Sequence, residues 1–85
     1  MSAAYEVKLF GPYADAAGEP VVRITLPAGR DPTASELMEM IAEEQPPLRP
    51  LMKEARLAVN REFAAPDQTV RTGDDLALIG LVAGG

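Results

Sequence analysis

Eighty-five residues, 47% of them hydrophobic and 25% charged, describe one small globular domain and exclude a disordered chain. A net charge of −5 argues against binding a nucleic-acid backbone, and no apolar run approaches the ~20 residues of a membrane span. The absence of Cys and His removes disulfides, thiolate metal sites, thiol nucleophiles and the usual general base. From the N-terminus, Val7 to Phe10 reads as a strand, with Val7 and Leu9 on one face and Lys8 and Phe10 on the other. Gly11-Pro12 ends it, and Tyr13 to Glu19 forms a connection punctuated by Gly18. Val21 to Leu26 is a second strand, with Val22, Ile24 and Leu26 inward, paired antiparallel to the first.

Thr33-Ala34-Ser35-Glu36 is a capping box, in which the Thr33 hydroxyl accepts from the Glu36 backbone N–H and the Glu36 carboxylate reaches back. Ala34, Leu37, Met38 and Ile41 follow at helical spacing, leaving Glu39, Glu43 and Glu44 outside. Pro46-Pro47 stops this helix, and Leu48, Leu51, Met52 and Ala55 suggest a short second helical turn. Leu57 to Asn60 is a third strand, Asn60-Arg61 a turn, and Glu62 to Ala64 a short fourth strand. Thr72-Gly73-Asp74 turns the chain into a last strand, Asp75 to Ile79. The order β–β–α–β–β–β predicts an α+β domain: a mixed sheet of about five strands with one main helix on one face. It fills residues 1–85, with a flexible tail over 80–85.

By parity, Phe10 and Ile79 fall on the uncovered face of that sheet, with Phe63 alongside. Such a cluster is a candidate interaction site; the competing reading folds these side chains under loops. Leu81 and Val82 extend it toward the tail. The pairs Asp74-Asp75 and Glu43-Glu44 are not catalytic dyads, because adjacent residues do not face each other on a strand or helix. Asp74 reads as a turn residue bonding its own backbone. The arginines are scattered in sequence and form no stripe, and Gly11, Gly18 and Gly29 form no phosphate cradle.

The ending carries the most information. Gly84-Gly85 follows a run without charges, Leu76 to Ala83. A terminal Gly has no Cβ, so its carboxylate is the least hindered acyl group a chain offers, and two in a row make a thin tail able to thread a narrow site. The plain alternative is a frayed terminus.

Val7-Lys8-Leu9-Phe10, Ala58-Val59-Asn60, and the closing Val70 to Ile79 with its Gly73-Asp74 turn before Val82-Ala83-Gly84-Gly85 together resemble the MoaD/ThiS family of sulfur carriers. Within that family the pattern is most similar to the small subunits of molybdopterin synthases. Where those members commonly carry a Pro pair before the tail, this chain has Gly80-Leu81, which favours a more flexible tail. The resemblance implies the ubiquitin-like β-grasp fold, with the first and last strands side by side at the sheet centre.

The resemblance also implies a chain that is not itself an enzyme and binds no cofactor or metal of its own. An adenylating, ubiquitin-activating-like enzyme would use ATP and Mg²⁺ to activate Gly85. A sulfurtransferase or other sulfur source would convert it to a thiocarboxylate, and a molybdopterin synthase large subunit would receive the sulfur. In that scheme Gly84 threads the tail, and Phe10, Phe63, Ile79, Leu81 and Val82 bind the partner. The expected location is cytoplasmic. Carriers for thiazole, cysteine, tRNA thiolation or specialised metabolites share the fold and tail. A conjugated protein modifier and a non-covalent interaction module remain as alternatives of other kinds.

Overall fold

The computed structural model describes residues 1–80. Side-chain alternation begins earlier than the sequence suggests: β1 runs Ser2–Leu9 and pairs antiparallel with β2, Val21–Pro27, from Ser2↔Pro27 to Lys8↔Val21. The first residues of β1 are small, so their pattern is faint, but Tyr5 continues the inward row of Val7 and Leu9. The Tyr5 hydroxyl donates to Asp31 Oδ1 at 3.0 Å. Burial, reinforced by that acceptor and its charge, raises the hydroxyl pKa above its ordinary 10.0, so it remains a donor.

The expected connection after β1 contains a short helix, α1, Pro12–Ala17. Pro12 opens it at a position where a missing N–H costs nothing, and Gly18 closes it in the left-handed region at φ 76°. Next comes α2, Ala34–Glu44, begun by the capping box: Thr33 Oγ1 accepts from Glu36 N at 3.1 Å, and Thr33 N donates to Glu36 Oε1 at 2.9 Å. That backbone bond, aided by Arg30 at 3.0 Å, holds the Glu36 carboxyl below its ordinary 4.5. Ala34, Leu37 and Ile41 form the buried stripe. The proline pair ends α2 as expected but opens a 3-10 helix, Pro46–Glu54, longer than a single turn, which buries Leu48.

The remaining strands are β3, Ala55–Val59, β4, Glu62–Phe63, and β5, Leu76–Gly80. They complete a five-stranded sheet in the order β2-β1-β5-β3-β4, with β1 and β5 parallel at its centre and the other neighbours antiparallel. The two-residue turn Asn60-Arg61 has φ 53° and 71°, the mirror-image geometry that suits strand twist in a tight hairpin. Asn60 does more than turn. Its Oδ1 accepts from Asp75 N at 2.9 Å and its Nδ2 donates to Asp74 Oδ1 at 3.2 Å, while Asp74 Oδ2 accepts from Arg71 N at 2.8 Å. The Val59-Asn60 and Gly73-Asp74 motifs are thus halves of one clasp that fixes where β5 starts.

One core lies between the sheet and α2, and contains Val7, Leu37, Ile41, Leu57 and Leu78 at no more than 2% exposure. Among the described residues it holds no buried polar or charged residue. Among the described residues no helix lies over the other face of the sheet.

Candidate functional site

On that open face, parallel register sets Lys8 beside Ala77, and antiparallel register continues the row through Ala58 to Phe63. One step on, Ile79 lies opposite Arg56, with Phe10 just past the end of β1. Two alanines in the middle and larger residues at the ends make a shallow depression of about 410 Å³, lined by Phe10, Phe63, Ile79, Lys8, Arg61 and Asp75 beside the alanine floor. Phe10 and Phe63 are 56% and 49% exposed, a costly arrangement for phenyl rings unless something covers them. The Arg56 guanidinium stacks 4.7 Å from the centre of the Phe63 ring, holding the ring in place. Asp75 receives Lys8 Nζ at 3.2 Å and Arg61 Nε at 3.9 Å.

A second, smaller hollow of about 260 Å³ shares Phe10 and Ile79 with the first and continues over Tyr13, Leu51 and Glu54 to Gly80. Gly80, expected to open the tail, is instead the last residue of β5, opposite Ala55. A Cβ on Gly80 would stand 2.7 Å from Tyr13 Cε2 and 2.9 Å from its hydroxyl oxygen, closer than such contacts occur. The ring is pinned, because the Tyr13 hydroxyl donates to the Leu51 carbonyl at 3.1 Å. Burial, with Glu54 nearby, raises that hydroxyl's pKa above 10.0 and keeps it a donor at neutral pH. A proline at position 80 would meet the same ring, so Gly80 is a packing requirement of this domain.

The structure therefore brings Phe10, Phe63 and Ile79 together as parity suggested. Leu81, Val82, Gly84 and Gly85 lie outside the described residues. Sequence reading missed the charges: Arg56 and Arg61, scattered along the chain, converge with Lys8 around the depression. The shared parity of Lys8 with Phe10 was the available signal. A further groove of about 360 Å³ between α2 and β3, lined by Met38, Ala42, Met52 and Leu57, has no aromatic side chain in its lining. Among the described residues no three carboxylates gather to hold a metal ion, and no helix is long and apolar enough to cross a membrane.

The description of the ThiS family matches residues 7–85. The chain belongs to the ThiS family. It is a small ubiquitin-like protein of sulfur-carrier type, and its mixed five-stranded sheet with α2 on one face is the β-grasp. No curated protein sequence matches it. Among solved structures it is similar to SAMP1 from Haloferax volcanii, with a TM-score of 0.80 and 27% identity over 98% of this chain and 100% of that one. A putative molybdopterin converting factor subunit 1 from Pyrococcus furiosus has a TM-score of 0.77 and 22% identity, over 94% of this chain and 99% of that one. The complex of subunits 1 and 2 of the molybdopterin-converting factor from Helicobacter pylori includes a chain with a TM-score of 0.63 and 24% identity, each covering 100% of the other. In this ThiS-family chain the open face and the end of β5 form one continuous surface.

Proposed function

We propose that this chain carries sulfur as a thiocarboxylate on Gly85 and delivers it to a molybdopterin synthase large subunit docked on the open face. The observation that carries the reading is the extent of the family match, which runs through β5 to Gly84-Gly85. Phe10 and Ile79 line both hollows, the second of which reaches Gly80, so a partner covering them would also meet the last described residue of β5. The Pyrococcus and Helicobacter relatives, a putative molybdopterin converting factor subunit 1 and a molybdopterin-converting factor subunit in complex with subunit 2, support the molybdopterin branch.

The chemistry needs help from partners. A carboxylate oxygen is a poor leaving group, so the Gly85 carboxylate attacks the α-phosphorus of ATP on an activating enzyme, releasing pyrophosphate and forming an acyl-adenylate. A persulfide on a sulfurtransferase then attacks the acyl carbon and AMP departs with the bonding pair; a partner thiol attacks the donor sulfur of the resulting acyl disulfide, so that the thiocarboxylate leaves and the two partner sulfurs end as a disulfide. This chain supplies the acyl group and the docking surface. Intact-mass measurement of protein from its native host tests the proposal. The expected species shows one oxygen replaced by sulfur, and loses that change when Gly85 is deleted.

One observation supports a second reading. SAMP1, a small archaeal modifier protein in its own description, is similar at 27–28% identity. A modifier would use the same activated Gly85 but pass it to lysine amines. Covalent adducts of higher mass, with no thiocarboxylate in any condition, would favour that reading over sulfur delivery.

A further inference from the structure

The chain holds thirteen acidic residues against eight basic ones, yet three of the eight cations, Lys8, Arg56 and Arg61, surround the open-face depression, and among the described residues Asp75 is the only carboxylate lining it. The opposite side reverses this balance: α2 carries Glu36, Glu39, Glu43 and Glu44 and no basic residue. Elsewhere on the open face, Arg23 lies directly across from Glu6, so that pair is locally neutral. Positive charge is in excess in the depression itself; Glu54 lines the hollow that adjoins it at Phe10 and Ile79, and Glu6 and Asp74 line the one that adjoins it at Lys8 and Asp75.

We propose that the partner surface received by this face is acidic: an apolar contact for Phe10 and Phe63 ringed by carboxylates that meet Arg61, Arg56 and Lys8. This rests on the docking role given to the face above, and adds the chemistry of what docks there. Two features support it. The Arg61 side chain is 91% exposed, and its one ion-pair contact is a long one, 3.9 Å, to an Asp75 already engaged by Lys8 at 3.2 Å. Its charge is therefore largely uncompensated within the chain. Screening also favours the local pattern over the net charge. At physiological ionic strength the Debye length is about 8 Å, well short of the 41 × 24 × 17 Å domain. An approaching protein senses the near face, and the acidic helix side is screened behind it.

Charges at the rim of an interface act mainly on the rate of encounter, and their effect weakens with salt. The test is stopped-flow association of the full chain with the molybdopterin synthase large subunit of the same host. Raising salt from about 50 to about 300 mM is expected to slow association several-fold, with dissociation changed much less. Arg61→Glu is expected to slow association by roughly tenfold at low salt. Arg49→Glu alters net charge equally from the 3-10 helix and is expected to leave the rate near wild type. Asp75→Asn removes the one opposing charge and should speed association by roughly two- to fivefold, a change of sign that a folding defect does not produce.

If all three variants associate at the wild-type rate while Phe10→Ala still weakens binding, the acidic-partner inference falls and the docking role stands. If Arg49→Glu slows association as much as Arg61→Glu, net charge governs and the inference is again overturned. If Phe10→Ala also binds as wild type, the docking role falls and the inference with it.

Discussion

The two faces of this sheet come from the same strands and are built to different ends. Toward α2 the strands present Tyr5, Val7, Ile24, Leu57, Leu76 and Leu78, every one at 2% exposure or less. Away from it, positions one residue along hold Lys8, Arg56, Ala58, Ala77 and Ile79, bordered by two half-exposed phenylalanines. The covered face maximises apolar area taken from water, and stability rests there. The open face leaves apolar area in water around a floor of alanines, which contributes little to folding and leaves room for another surface. A strand with period two lets one stretch of chain do both jobs, because each residue belongs to a single face. The difference also predicts that substitutions sort by face.

The largest effect belongs to neither face. Deleting Gly85, or Gly84→Val, is expected to abolish sulfur transfer with the melting temperature unchanged, since the core described above is built from residues 5–78. Pyrophosphate exchange with the activating enzyme, read beside a thermal melt, checks this; wild-type exchange and delivery by Gly84→Val would break the threading idea.

Next come paired truncations across the sheet. Leu37→Ala opens a cavity on the covered side and is expected to cost about 2–5 kcal/mol of stability. Phe10→Ala should change stability by less than about 0.5 kcal/mol. It should weaken partner binding by about ten- to a thousand-fold. Urea denaturation and calorimetric titration of both variants make the comparison. Unfolding by Phe10→Ala would assign that ring to the core.

Gly80 sits at the boundary between the faces. Gly80→Ala drives a methyl into the Tyr13 ring and is expected to cost about 1–3 kcal/mol. In a Tyr13→Ala background the same change should cost far less, a coupling that a double-mutant cycle measures. Equal cost in both backgrounds would mean that the strain lies in the β5 backbone.

The smallest effect is at the helix start. Thr33→Ala removes the hydroxyl that accepts from Glu36 N and should cost about 0.5–2 kcal/mol. Glu36 adds a pH signature. Its folded pKa lies below 4.5, so its ionised form contributes stability that is present above that value and lost as pH falls through the folded pKa. The advantage of wild type over Glu36→Gln should therefore shrink with acidification in melts from pH 7 down to 3.

The same contrast explains what could be read in advance. Strong periodicity and a capping box made α2 legible to the residue, and alternation placed Phe10 and Ile79 on one face. The first residues of β1 escaped notice because Ser2, Ala3 and Ala4 give no hydrophobic contrast. α1 escaped because six residues with one buried side chain, Tyr13, carry no period. The meeting of Tyr13 with Gly80 and the convergence of Lys8, Arg56 and Arg61 depend on which strands become neighbours. Local pattern does not encode that.

The central position of β5 bears on how the protein is made. The last of the five strands to leave the ribosome, β5 must insert between β1 and β3, which have no pairing with each other. Until residues 76–80 are free, the strand pairs β1-β2 and β3-β4 are joined by α2 and the 3-10 helix but not by the strand that makes them one sheet. Folding is therefore expected to wait for β5 and to be dominated by long-range contacts, hence slower than for a helical domain of this size. A product truncated before β5 cannot assemble the docking face, since Ala77 and Ile79 form part of it. Incomplete chains would go to proteolysis instead of occupying partners as carriers with nothing to deliver.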